Sequence, residues 1–299
     1  MMTTFAQALL SGTAQGAIYA LLALGFVIIY KATHVISFAQ PALMVCGGLF
    51  SYHFSAVLGW PFWPSLFIAI LLGAGLGMVI ERLALRPMVG KPVFTLAIIT
   101  IGVDVVLRVL ANRYIGADSR ALRYPGGGER YELLGLALSH RQVTIIAVTV
   151  ITVVSLALFF RYAKAGLAMR ATALDQETAL AQGVRVGAMF ALAWAIAGGL
   201  AAIAGTFIAT GSGGIEQDTW IIALKALPAI IIGGLDSLQG AVIGGLLVGV
   251  VEQITAVYQS AYLPFLGANF SLVAPYALMF LVLLIRPYGL FGTKEVERV

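Results

Sequence analysis

ALLSGTAQGAIYALLALGFVIIY, residues 8–30, contains no Asp, Glu, Lys, Arg or His. As a helix rising about 1.5 Å per residue it crosses a hydrocarbon layer of roughly 30 Å. Comparable apolar runs follow at about 36–58, 63–81, 92–111, 142–160, 187–211, 219–235, 237–257 and 270–285. Inside lipid every backbone N–H and C=O needs an internal partner, so such runs are helices; barrel strands would show alternating segments of about ten residues. With 61% apolar and 10% charged residues, against about a quarter charged in a soluble domain, the chain lacks the polar surface of a water-soluble fold. The expectation is an all-α, polytopic transmembrane bundle of about nine spans forming a single domain over 1–299. Eight or ten spans stay open, because 219–257 turns at Gly233, Gly234 and Asp236 with almost no loop.

The formal charge of +5 does not point to nucleic acid, since the basic residues form neither a stripe nor a tail. They sit in short loops, where they set orientation. Lys31, Arg82, Arg86, Lys91, Arg161, Lys164, Arg170, Arg185, Arg286, Lys294 and Arg298 all fall on one side when the N-terminus is outside. Arg113, Arg120, Arg123, Arg130 and Arg141 share one long loop on the other side with Asp118, Glu129 and Glu132; long loops obey the rule poorly. The topology expected is N-out, C-in. The first thirty residues lack the basic start of a secretory signal, so the first run is expected to stay as a span.

Two hydrophilic segments interrupt the pattern. The outer one, 112–141, is turn-rich around Pro125, Gly126, Gly127 and Gly128, and is a small cap or a loop. The inner one, 161–186, reads RYAKAGLAMRATALDQETALAQGVRV; its alanines favour a helix on the cytoplasmic face, and Gly183 stands where that helix would end. Within the spans, Gly73 and Gly77, Gly240 and Gly244, and Gly245 and Gly249 are small-xxx-small pairs that mark close helix packing. A faint repeat relates the stretch from Tyr19 to the one from Trp220, in keeping with transporters built from duplicated halves.

No phosphate-binding loop is present: Gly90 and Lys91 are followed by Pro92, with no glycine at the required spacing. Nucleophile-elbow and zinc-helix motifs are absent too, so an enzyme has no residues to stand on. Cys46 is the only cysteine, and His34, His53 and His140 show no ligand spacing, which argues against a disulfide or a metal site. Ionisable groups at membrane depth are the functional suspects. Asp104 and Arg108, four apart, face one side and can pair. Lys225, just before Pro228, has no acid at helical spacing except Asp218 and is a candidate for the substrate path; Glu252 is ambiguous. Ser37 and Gln40 precede or open the second span beside Pro41, where polar side chains either cap free N–H groups or meet a solute. Gly211 and Gly213 close the sixth span as a plain turn or a point of close solute approach.

RATALDQETALAQGVRV, AWAIAGGLAAIAG, ALKALPAIIIGGLDSLQGAVIGGLLVGVVE, LLIRPYGLFG and the opening GAIYALLALGFVIIYKATHVISFAQPALMVCGG resemble the permeases of branched-chain amino acid importers of the LivH type, over about Gly16 to Gly292. The resemblance implies an ATP-driven (ABC) importer of the bacterial inner membrane. Its partners would be a second, LivM-type permease, two cytoplasmic ATPase subunits that hold ATP and Mg²⁺, a periplasmic solute-binding protein, and membrane lipid. It further implies a coupling helix near 171–183 docking into an ATPase. There Arg170, Asp175 and Glu177 are expected as exposed contacts, Ala171 and Gly183 as its ends and Ala179 as a residue packed in the ATPase groove. Ser37-Phe38-Ala39-Gln40-Pro41 stands where many relatives read an Asn-Phe-Ala-His-Gly type sequence, so urea, amides or aromatic acids stay open beside branched-chain amino acids. The competing class is a stand-alone secondary transporter, which would need an intramembrane acid placed for ion coupling.

Overall fold

A computed structural model describes residues 2–88, 91–127, 130–133, 136–262 and 269–293. Lys294 and Arg298, counted in the charge asymmetry, lie outside these, as do Gly90, Gly128 and Glu129. The described chain is helical apart from one small hairpin. In order come α1 (Met2–Thr33), α2 (Gln40–Tyr52), α3 (Phe62–Ile80), α4 (Val93–Ile115), β1 (Arg130–Leu133), β2 (Leu136–Ser139), α5 (His140–Tyr162), α6 (Lys164–Leu174) and α7 (Gln176–Ala181). Then follow α8 (Val186–Ala209), α9 (Trp220–Leu224), α10 (Ala226–Gly233), α11 (Leu238–Tyr262) and α12 (Ala274–Ile285).

Among the described residues six helices are long and apolar enough to cross a membrane: Thr3–Thr33, Phe62–Met88, Phe94–Ile115, His140–Tyr162, Val186–Ala209 and Leu238–Tyr262. The other three expected spans are shorter or interrupted. The run at 36–58 becomes helical only at Gln40, next to Pro41 at the first turn, and ends in a π-helical turn over His53–Val57. Trp220–Gly233 and Phe270–Ile285 are shorter apolar helices; the first breaks at Lys225, where Pro228 removes the N–H that would have bridged the break. The hydrophilic segment 112–141 carries the departure from helix among the described residues, β1 and β2, which pair antiparallel with Glu132 opposite Ala137.

The chain divides into two compact units. One comprises 25–125 and 150–223, with α8 at its centre against α2 and α3. Gly73 and Gly77 of α3 lie on the backbone of Gly198 and Trp194; a Cβ at Gly73 would come within 2.6 Å of the Gly198 oxygen. Bare backbones therefore meet where the spacing predicted close packing, gaining dispersion contacts that side chains would block. Trp194 and Phe207 are wholly buried in this unit. Beyond α8, Gly214 takes φ +66° and presses on Ala121, so that Arg120 and Ile215 exchange backbone hydrogen bonds of 2.9 and 3.0 Å.

The other unit comprises 1–24, 126–149 and 224–299. Gly245 and Gly249 of α11 meet Ala20 and Gly16 of α1, and Gly240 and Gly244 meet Gly233 and Ala229 of α10. The hairpin is tied down by Gln7, whose amide donates to the Ala137 carbonyl at 2.8 Å. After α12 the chain returns to the end of α10: Leu290 N–H donates to Ile232 O at 2.8 Å and Phe291 N–H to Gly233 O at 3.0 Å. These bonds satisfy carbonyls that a helix end leaves open. Asp236 accepts from both the N–H and the hydroxyl of Thr293.

Candidate functional site

The start of α2 is built inside its unit. The chain leaves α1 through His34, whose φ is +56°, and the side chains of Ser37 and Gln40 are both fully buried. Ser37 Oγ accepts from Ala39 N–H at 3.3 Å, so it caps locally. Two further N–H groups at this helix start are satisfied from α4: Phe38 N–H donates to Thr100 Oγ1 at 3.0 Å and Ala42 N–H to Asp104 Oδ1 at 3.2 Å. Thr100 and Asp104, one turn apart, thus present one polar face to the positive end of α2. Asp104 Oδ2 lies 2.7 Å from Arg108 Nε. The two side chains form an i,i+4 ion pair. The Arg108 guanidinium also covers the Trp220 ring at 4.2 Å, a cation–π contact.

Gln40 is held differently. Its Nε2 donates to the Ala197 carbonyl at 3.3 Å, while Oε1 is buried without a partner among the described residues. A Cβ at Gly25 would collide with this amide, so glycine there makes room for it. Gly211 and Gly213 belong to the turn after α8; Gly213 is exposed and Gly211 partly so. The residue in that turn whose conformation requires glycine is Gly214.

Lys225 belongs to the other unit, and its partner differs from the one spacing suggested. Its Nζ lies 2.5 Å from Glu252 Oε1, and Tyr19 OH donates to Glu252 Oε2 at 2.6 Å. Gln15 Nε2 in turn donates to the Tyr19 oxygen at 3.0 Å. One carboxylate from α11 therefore joins α1 to the α9–α10 break. Asp218 has no part in it, and Tyr19 is a member that the sequence did not single out.

The segment expected as one helix over 171–183 is instead two, α6 and α7, broken at Asp175, which is extended at φ −157° and ψ 113°. Asp175 is the N-cap of α7: Oδ1 accepts from Glu177 N–H at 2.9 Å and Thr178 N–H at 3.1 Å, and Oδ2 from the Thr178 hydroxyl at 2.6 Å. These bonds, the hydroxyl's first, hold its carboxyl below the usual Asp value. Its exposed charge is spent on the chain's own backbone, so it is a capping residue as well as a surface one. Gly183, at φ +82°, ends α7 as anticipated. Arg170 and Glu177 are exposed, and Ala171 is partly covered. Ala179, expected in a partner's groove, is buried in this chain at 4% exposure, on the α7 face turned inward. Within 171–183 the large apolar side chains that point outward are Leu174, 88% exposed, and Leu180, 64% exposed; Leu167, earlier in α6, is exposed as well. Among the described residues no three His, Cys, Asp or Glu side chains gather as metal ligands would.

Comparison with known proteins bears on this arrangement over nearly its whole length. Residues 8–283 match the family described as branched-chain amino acid transport system, permease component. The chain is 30% identical to the high-affinity branched-chain amino acid transport system permease protein LivH of Escherichia coli K12, covering 99% of this chain and 98% of that one. It is 31% identical to LivH of Salmonella typhimurium and 30% identical to the permease protein BraD of Pseudomonas aeruginosa, each again over 99% and 98% of the two chains. The chain belongs to the family of branched-chain amino acid transport permease components, which are transport subunits and not enzymes.

Proposed function

We propose that this chain is a permease subunit of an ATP-driven importer that carries branched-chain amino acids across the bacterial inner membrane. It works with a second permease of the LivM type, two cytoplasmic ATPases and a periplasmic solute-binding protein. The observation that carries this is the family match over 8–283, which takes in five of the six membrane-long helices whole and most of the first. In this reading the chain is one permease domain with nine membrane segments, six complete and three short or broken, N-out and C-in. The basic residues around α6 and α7 then lie inside. The segment 164–183 docks on an ATPase through Leu174 and Leu180, flanked by Arg170 and Glu177. Ser37, Gln40, Gly211, Gly213 and Lys225 are the residues assigned to the substrate path in this reading.

The secondary-transporter alternative loses ground because Asp104 and Glu252 are each neutralised by a cation within the chain, whereas ion coupling needs an acid free to exchange its partner. The test is uptake of labelled leucine, urea, acetamide or benzoate into proteoliposomes holding the two permeases and both ATPases, with binding protein outside. ATP-dependent leucine accumulation is expected. Uptake by this chain alone on a proton or sodium gradient contradicts the reading, and ATP-dependent uptake of urea, acetamide or benzoate in place of leucine corrects the substrate.

A further inference from the structure

Beyond α3 the chain makes a π-helical turn, Glu81–Leu85, and a 3-10 turn, Arg86–Met88. Glu81 is 1% exposed, and a carboxylate so deep needs its oxygens paired. Arg86 donates from Nε to Glu81 Oε1 at 3.2 Å and from Nη2 to the Gly187 carbonyl at 2.9 Å. Gly187 is the second residue of α8. Just before it, Val184 N–H donates to the Ala179 carbonyl of α7 at 3.0 Å. One guanidinium thus ties the end of α3 to the corner through which α7 enters α8.

The pairing is incomplete. Glu81 Oε2 is buried with no partner among the described residues, and a buried group left unpaired bears its whole desolvation cost. Nε and Nη2 lie along one edge of the planar guanidinium, the edge that matches both oxygens of a carboxylate. Here that edge is divided, one nitrogen on Glu81 and the other on Gly187. Turning the guanidinium onto Oε2 completes a bidentate pair and releases the Gly187 carbonyl. The site therefore accommodates two arrangements: the present one leaves Oε2 open, and the bidentate one satisfies it while the Gly187 carbonyl, near the start of α8, keeps its place in the helix ladder.

We infer that Arg86 is a positioning residue with two resting places, the Gly187 carbonyl and Glu81 Oε2, and that displacement of the α7–α8 corner by an ATPase transfers it from one to the other, passing the motion to α3. The inference rests on the docking of α6 and α7 proposed above. It gives the docked segment a mechanical link into the span carrying Gly73 and Gly77, which packs on α8. Discrete alternatives of this kind are how packed elements convert small shifts into defined states.

The test uses the complete transporter in liposomes and reads solute taken up per ATP hydrolysed, beside thermal stability and the ATPase retained on purification. The double variant E81Q/R86Q removes both charges together and so leaves neither one buried and unpaired. It is expected to keep its ATPases and its stability while solute moved per ATP falls about five-fold, the size expected for one contact in a coupling network. R86K keeps a cation beside Glu81 but lacks the fork, and is expected to fall as far. E81Q and R86Q singly should each lose as much as the double, because they act as one device. Wild-type stoichiometry in the double variant or in R86K overturns the latch, as does a loss that tracks thermal stability. Docking is checked separately by crosslinking from position 180. Crosslinking with undisturbed coupling in E81Q/R86Q refutes the latch alone, and no crosslink in the wild-type complex refutes the docking and the latch with it.

Discussion

The Lys225 ammonium lies 2.5 Å from Glu252 Oε1 across 27 residues of sequence, and Tyr19 holds the second oxygen at 2.6 Å. Each charge is largely covered, and each is paired with the other. Removing one leaves its partner buried and unpaired, whereas removing both leaves neither charge. Lys225→Met or Glu252→Leu alone is expected to lower the unfolding free energy in detergent by about 3 kcal/mol, and the double substitution by less than about 1 kcal/mol. Additive losses in the double variant would show that the two side chains act independently.

Gln40 invites the opposite comparison. Its Oε1 is buried and unpartnered, so Gln40→Leu, close in volume, should change thermal stability little: it forfeits one hydrogen bond to Ala197, worth about 1 kcal/mol, and also removes the unpaired oxygen. Leucine uptake is expected to drop about ten-fold, because a solute at this position loses an amide it would have bonded. Normal uptake with normal stability removes Gln40 from the path; lost stability in step with lost uptake makes it a packing residue.

These two sites mark what a single sequence discloses. The Asp104–Arg108 pair and the glycine pairs were legible because their partners are four residues apart, or because small residues at that spacing have one main use in lipid. The Lys225–Glu252 pair was not, since the acid arrives from another helix and no local period points to it. Asp104 capping α2 was hidden for the same reason. The break at Asp175 did have a signal: Asp followed at the third position by Thr, before an alanine-rich run, is a helix start. It was outweighed by the helix propensity on both sides. Ala179 turned inward, and Leu174 and Leu180 outward, because that break resets the helical phase.

Asp175 supplies a pH dependence. Its carboxyl is held below the usual value by Thr178 and Glu177. A group whose folded pKa is lowered stabilises above its unfolded value, about 4, and loses that contribution as pH falls through the lowered folded value. Hydrogen-exchange protection at Glu177 and Thr178 is therefore expected to be flat from neutral pH to about 4, after correction for intrinsic rates, and to decline below it. Asp175→Asn should keep a cap and lose the decline; Asp175→Ala should lose protection at every pH. An unchanged profile in the Asn variant would place the titration elsewhere.

Ala179 and Leu180 are neighbours with opposite surroundings. Ala179→Phe overfills an intrachain contact and is expected to cost about 2 kcal/mol of stability. Leu180→Asp changes only an exposed side chain. It should leave stability within about 0.5 kcal/mol while reducing the ATPase that co-purifies with the permease. Equal co-purification of the Leu180→Asp variant and wild type would remove Leu180 from the docking surface.

The central claim is that the chain works as an ATPase-driven permease through the segment containing α6 and α7, and photo-crosslinking from defined positions of the assembled transporter tests it most directly. With a photoreactive group on Cys introduced at Leu174 or Leu180, adducts with an ATPase subunit are expected, and none from a control position at Leu58, in the loop after α2. Adducts from Leu174 and Leu180 with the binding protein, or with no protein at all while Leu58 labels an ATPase, would contradict both the orientation and the coupling role.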